Sequence, residues 1–248
     1  MTRDIPQTFW RSPLLPGVEL RSTWQSRQAY KTHSHTQLSI GAIVEGQTRC
    51  VCNGETWLLS PGDLIIIPAH APHSCNPVDG QPRSYHMLYI ETDFQPAPQI
   101  VRSGSLFRHY LQAIENLSSQ AIETLLAALP AEPVQPATLR PISLQLQETL
   151  LENLMTPPSL DALAHRFSLC KETLIRTFKQ DIGLTPITFL NSARIEFAKT
   201  RLRAGADIAD VGYQSGFADQ SHFHKTFVSY TAATPRQYAT GRSISDNN

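Results

Sequence analysis

One phrase occurs twice in the C-terminal part of this 248-residue chain. The first copy runs from Leu160 to Pro186 and the second from Ile208 to Pro235. Leu160, Leu163 and Ala164 of the first correspond to Ile208, Val211 and Gly212 of the second. After a turn one residue longer in the second copy, Leu174 and Phe178 correspond to Phe223 and Phe227, and both copies end on Thr-Pro (Thr185-Pro186, Thr234-Pro235). A short amphipathic helix with a small residue facing its partner, a tight turn and a second helix let two helices cross closely enough for one to enter a major groove. Two such units imply a chain that reads successive grooves of one DNA face.

Helix periodicity then separates core from reading face. On the second helix of the first unit, about Lys171 to Gln180, Leu174, Thr177 and Phe178 fall on the core side. Glu172, Thr173, Ile175, Arg176 and Lys179 are left to face DNA. Arg176 can pair bidentately with guanine, and Glu172 can accept from cytosine. The corresponding helix of the second unit begins at Asp219 or Gln220 and runs to about Tyr230, with Phe223 and Phe227 inward. Gln220, Ser221, His222, His224 and Lys225 face outward, and Lys225 is the positional equivalent of Arg176. Gln220 can read adenine, Ser221 and Lys225 can reach base or phosphate, and Asp219 is expected to cap its helix. His222 and His224, two apart, point away from each other and do not share a metal.

This region resembles the DNA-binding domain of the AraC/XylS family of bacterial transcription regulators. The resemblance includes a long connecting helix, about Ile187 to Leu202 with Arg194 and Ala198. It also includes the GF-x-D-x-S-x-F phrase, here Gly216, Phe217, Asp219, Ser221 and Phe223. It departs from the family where Ala232 replaces a usual Gly, Val228 a usual Lys and Ala239 a common Arg. The family alignment places Arg176 at a usual base-contact position. It implies double-stranded promoter DNA as partner, a homodimer, and RNA polymerase as a further partner if the protein activates.

The composition is that of an ordinary globular protein, 41% hydrophobic and 17% charged. There is no apolar run long enough for a membrane span and no signal-peptide pattern at the N-terminus, so a cytoplasmic protein with no membrane partner is expected. Formal net charge is zero, divided as +2 over residues 151–248 and −2 before them. So weak an asymmetry makes DNA binding depend on placed contacts rather than bulk attraction. The length fits two modest domains.

Before the repeat the text changes character. From about Trp10 to Glu91 short alternating segments separated by Gly and Pro read as strands of an antiparallel barrel or sandwich. After Pro98, residues 105–117 and 120–130 have helical spacing. Pro130, Pro133, Pro136 and Pro141 mark a linker, and Ile142 to Met155 is again amphipathic. The expected fold class is α+β: an N-terminal antiparallel β-barrel over 1–98, a helical dimerisation segment and linker over 99–140, and an all-α domain over 141–248 ending in a frayed Asp246-Asn247-Asn248. The stripe Leu106, Tyr110, Ile114 and Leu117 is expected to pack between protomers, with packing on its own barrel as the alternative.

The strand-rich part resembles a cupin, the effector-binding barrel found before the DNA-binding domain in many AraC-type regulators. His33-Ser34-His35 with Gly46 has the spacing of the first cupin motif. Gly62 to Asn76 resembles the second, with Pro68, His73 and Asn76 in place. Ser39 stands where the first motif has its Glu ligand. Alternation puts His33 and His35 on one strand face, Thr48, Cys50 and Cys52 on another, and His73 and Cys75 on a third, with His86 on a fourth strand. Imidazole and thiolate suit Zn²⁺ or another transition metal. The same lining could hold an organic effector, or be structural only. The reading is therefore a regulator controlled by a small-molecule or metal effector, not an enzyme. Two alternatives stand beside it: a cupin-type metal enzyme fused to a DNA-binding domain, against which Ser39 argues, and a thiol redox sensor, against which the inward cysteines argue.

Overall fold

A computed structural model describes residues 6–130 and 138–243. Pro133, Pro136 and the tail 246–248 lie outside them. The described residues divide into two compact units, one holding 6–30, 36–130 and 240–243, the other 31–35 and 138–239.

The first unit contains β1 (Gln7–Ser12), β2 (Leu15–Ser26), β3 (Leu38–Glu45), β4 (Thr48–Cys52), β5 (Glu55–Leu59), β6 (Leu64–Ile67), β7 (His73–Pro77), β8 (Arg83–Ile90), β9 (Gln99–Val101), helices α1 (Gly104–Asn116) and α2 (Ser119–Ala128), and the short β10 (Arg242–Ser243). The strands form a seven-stranded sheet in the order β10-β1-β2-β8-β3-β6-β9 and a three-stranded sheet in the order β5-β4-β7. Among the described residues these are two separate sheets, not a barrel closed by hydrogen bonds. The second cupin phrase, Gly62 to Asn76, holds two strands, β6 and β7. Pro68 and Pro72 interrupt it, because a proline can donate nothing to a ladder.

The large sheet buries both faces, and each face has its own partner. Leu20, Ile40, Ala42, Leu64, Ile66 and Leu88 pack with Tyr110, Ala113 and Ile114 of α1 and with Ile122 and Leu125 of α2. The opposite face, with Ile43, Ile65, Ile67 and Tyr85, packs with Cys50, Cys52 and Leu59 of the small sheet. The α1 stripe is therefore covered by its own sheet. Leu106 and Leu117 join that cluster, and the Tyr110 hydroxyl donates to the Ile40 carbonyl at 3.0 Å.

The second unit contains α3 (Pro141–Glu152), α4 (Leu160–Arg166), α5 (Lys171–Ile182), α6 (Pro186–Arg203), α7 (Ile208–Gln214), α8 (Gln220–Thr231) and α9 (Pro235–Ala239). Pro141 opens α3 at its first position, where the missing N–H costs nothing. Side chains cap α4 (Ser159 to the Ala162 amide), α6 (Thr185 to Thr188), α7 (Asp207 to Ala209 and Asp210) and α8 (Asp219 to His222, 2.7 Å). Each satisfies an orphan amide at a helix start. Arg140 and Ser143 both donate to the Asp181 carboxylate, tying the start of α3 to the end of α5.

Candidate nucleic-acid interface and effector-side residues

The two helix pairs, α4–α5 and α7–α8, are built alike. Leu163 and Ala164 of α4 are buried, as are Leu174 and Phe178 of α5. Val211, Gly212, Phe223 and Phe227 repeat this in the second pair. A Cβ on Gly212 would lie 3.0 Å from the Phe223 ring, so this small residue lets α7 and α8 approach closely. Four residues separate α4 from α5 and five separate α7 from α8, the one-residue difference seen in the repeat.

The helix starts fix which side chains look outward. Glu172, Arg176 and Lys179 are exposed on α5, while Thr173 and Ile175 are half-buried. Glu172, Ile175, Arg176 and Lys179 line one shallow concavity with Gln180 and Thr185. Gln220, Ser221, His222 and Lys225 are exposed on α8 and His224 is half-buried. The His222 ring meets Phe217 edge-on at 5.4 Å, so this residue also packs locally. Arg176 and Lys225 are each the sixth residue of their helix, and both face solvent.

Between the pairs, Arg194 of α6 is buried and donates to the Leu154 and Met155 carbonyls at 2.8 and 3.3 Å, with its guanidinium over the Phe217 ring. Burial draws its pKa below the usual arginine value. Gly216, in the α7–α8 turn at φ +78°, has no room for a side chain. A Cβ there would come within 2.7 Å of the Leu154 carbonyl oxygen and 2.8 Å of Arg194 Nη2. The sequence reading assigned neither residue this anchoring role.

On the effector side the expectations need two corrections. His33 and His35 do not alternate on a strand; they lie in an irregular segment, their rings 5.7 Å apart at 53°. This segment, 31–35, groups with the helical unit, where the Lys31 amide donates to the Ser229 carbonyl and the His33 ring lies 6.4 Å from that of Tyr230. His86 does not join the cysteines. Two-residue alternation puts it on the sheet face of Leu88 and Ile90, opposite to Tyr85, and its Nδ1 pairs with Ser22 Oγ at 2.8 Å.

The inward orientation of the β4 donors holds. Thr48, Cys50 and Cys52 are buried and Arg49 is exposed. Antiparallel register sets Cys50 opposite Cys75 and Cys52 opposite His73. Burial pushes the Cys52 thiol up to about 12, and the hydrogen bond with Cys75 followed by burial raises Cys50 further. Burial also lowers His73 to about 4, so it is neutral at ordinary pH. His33 Nδ1 and His73 Nδ1 each lie 2.8 Å from a backbone carbonyl, those of Lys31 and Ala71. A carbonyl only accepts, so in each neutral ring Nδ1 carries the proton and Nε2 the lone pair. Metal-bound histidines are commonly held in that arrangement, so the chemistry of these residues fits a transition metal. Asn76, the last residue of the second cupin phrase, instead brackets the Tyr30 backbone through both atoms of its amide.

Comparison with known proteins agrees with this architecture. The AraC-like ligand binding domain matches residues 15–152, and a helix-turn-helix domain matches residues 163–241. The chain is 28% identical to YbfI of Bacillus subtilis, an uncharacterized HTH-type transcriptional regulator, over 79% of this chain and 82% of that one. It is 25% identical to the transcriptional activator RhaS of Shigella sonnei over 86% and 88%. ToxT of Vibrio cholerae shares the fold at a TM-score of 0.56 and 11% identity, over 96% of this chain and 98% of that one. No helix among the described residues is long and apolar enough to cross a membrane. The chain belongs to the AraC family of transcription regulators, with a ligand-binding domain before a helix-turn-helix DNA-binding domain.

Proposed function

We propose that this regulator reads promoter DNA with α5 and α8, one in each of two neighbouring major grooves, and that an effector in the sheet-rich domain controls the outcome. The observation that carries this is the equivalence of Arg176 and Lys225: each is the sixth residue of the second helix of its pair, each has a buried residue two positions before and two after it, and both are exposed. Glu172, Thr173, Ile175 and Lys179 extend the first reading surface, and Gln220, Ser221, His222 and His224 the second. Base readout falls to Arg176, Glu172 and Gln220, and phosphate contacts to Lys179 and Ser221. Arg176→Ala and Lys225→Ala are expected each to weaken specific binding, Arg176→Ala by about 1–3 kcal/mol with relaxed preference at one base pair. Unchanged footprints and affinities for both on the native promoter would refute the assignment.

The effector reading rests on His33, His35, His73, Cys50, Cys52 and Cys75. It is supported by the tautomer imposed on His33 and His73 and by the neutral, buried imidazole of His73. One structure of ToxT is of the protein bound to an unsaturated fatty acid, so an organic ligand is the natural comparison, and zinc or a related ion the competing effector. Segment 31–35, which includes His33, packs on the C-terminal half of α8. Metal analysis of untagged protein beside His33→Ala/His73→Ala separates the two: metal well below one per chain in both, with promoter binding indifferent to added Zn²⁺, leaves the organic ligand. We place the protein in the cytoplasm as a homodimer, with RNA polymerase as a partner if it activates.

A further inference from the structure

The small sheet carries a thiol pair that DNA reading does not use. Cys50 on β4 and Cys75 on β7 are direct partners in antiparallel register. Opposed residues place their Cβ atoms about 4.5–5.5 Å apart on one sheet face, close to the separation a disulfide needs. Here the two Sγ atoms lie 2.9 Å apart, within about 0.9 Å of a covalent S–S distance of ~2.05 Å. Cys52, on the same face two residues along, is opposite His73 and has no cysteine in register. Exposure differs too: Cys50 and Cys52 are fully buried, whereas Cys75 is half-buried. Cys75 is thus the more exposed member of the pair and Cys50 the more deeply buried one. The inward-facing cysteines, taken singly, argue against redox chemistry; the pairing changes that.

We propose that Cys50 and Cys75 form a reversible intrachain disulfide in response to hydroperoxides. The reaction begins at Cys75, since only a reachable thiolate meets the oxidant. Its sulfur attacks one peroxide oxygen and the O–O bond breaks. The departing oxyanion takes up the proton that Cys75 has lost, leaving a sulfenic acid on Cys75. Cys50 sulfur then attacks Cys75 sulfur. The S–S bond forms, the S–O bond breaks, and hydroxide leaves as water with the Cys50 proton. Two thiols and one hydroperoxide give one disulfide, one alcohol (or water) and one water; an external dithiol reverses the exchange. The bond would pin β4 to β7 one rung from His73. The chemistry stands apart from the regulator reading, whereas any effect on promoter binding rests on it.

The full-length protein is treated with graded hydrogen peroxide, quenched with N-ethylmaleimide and weighed intact, then mapped by peptide mass. Beyond any loss at Cys170, two of the three sheet thiols are expected to disappear together and return with dithiothreitol, with Cys50 and Cys75 recovered as one linked peptide. Cys52→Ser should still form the bridge. Cys50→Ser should not, and should leave Cys75 as a sulfenic acid that dimedone traps. Exposed Cys170 reports that the oxidant is active. Should all three sheet cysteines stay alkylatable while Cys170 is oxidised, or should the linked peptide contain Cys52, the proposal fails. The wild-type and Cys52→Ser maps decide this even if Cys50→Ser does not fold. A formed bridge with unchanged promoter occupancy overturns the regulatory half alone.

Discussion

Gly216→Ala tests how the second reading pair is held. At φ +78° any L-residue incurs about 1–2 kcal/mol of backbone strain. The new Cβ would also stand 2.7 Å from the Leu154 carbonyl oxygen and 2.8 Å from Met155 Cα, both backbone atoms that cannot swing aside. Relief requires the turn to move away from the end of α3, which stretches the two hydrogen bonds that buried Arg194 makes there. Bonds from a charged donor contribute roughly 1.5–3 kcal/mol each, so partial loss brings the total to about 3–5 kcal/mol. Gly205→Ala is the internal comparison: its φ is +80°, but nothing lies within 4 Å of a Cβ there, so only the strain of about 1–2 kcal/mol remains. The assay is guanidinium unfolding of the full chain with two probes. Trp10, Trp24 and Trp57 all lie in the sheet-rich unit, so their fluorescence reports on that unit, while far-UV ellipticity weights the helices. Gly216→Ala should move the ellipticity transition and leave the fluorescence transition in place. If the two variants cost the same within about 0.5 kcal/mol, the close approach to Leu154 and Arg194 contributes nothing.

Ala232 ends α8 in the left-handed region at φ +50°, so Ala232→Gly should stabilise the helical unit by about 0.5–1 kcal/mol, read as a higher unfolding midpoint; no gain would remove the strain. Ile114→Asp should destabilise the sheet-rich unit by at least about 3 kcal/mol, because Ile114 is buried on its own sheet; dimer dissociation at unchanged fluorescence midpoint would refute that packing. Asp181 is held below the usual carboxylate range, first by Arg140 and then by Ser143. A lowered folded pKa contributes stability that is present above the ordinary carboxylate value and is lost as pH falls through the folded one. Arg140→Ala should therefore lower helical-unit stability at neutral pH, with the difference from wild type shrinking below about pH 4. A constant difference across that range would mean the ion pair is not the cause.

The sequence made the helical unit legible because its signals are local. Cap residues, apolar spacing and the duplicated turn all act within a few positions, and Asp219 is found capping α8 as its place before Gln220 predicts. The alternation of Thr48, Cys50 and Cys52 was equally readable, since one sheet face is buried and the other wet. What failed was non-local. The chain cannot announce that its strands form two sheets instead of one closed ring, because closure depends on pairing between distant segments. His33 and His35 read as a strand from spacing alone, yet only His33 makes an isolated β-bridge and neither lies within an extended strand. The α1 stripe shows an apolar face but not what covers it. Arg194, in the connecting helix, and Gly216, in the GF phrase, were both among the family-matching residues, but their mutual fit appears only when the residues after α3 meet the α7–α8 turn.

The connecting helix α6 runs unbroken for 18 residues, about 27 Å at 1.5 Å per residue. It carries Arg194, whose contacts fasten the residues just after α3 (Leu154, Met155) and Phe217 of the second turn to one rod. Such a rod has no hinge, so on the proposed reading it would act as a ruler laid along the promoter. A flexible tether would let each reading helix find its own groove, but a ruler requires the DNA to present both grooves in phase, about one helical turn apart. Inserting roughly half a turn of base pairs between the two contacted segments would carry the second groove to the far side of the duplex. The protein would then keep only half its contacts, however good each half-site remained.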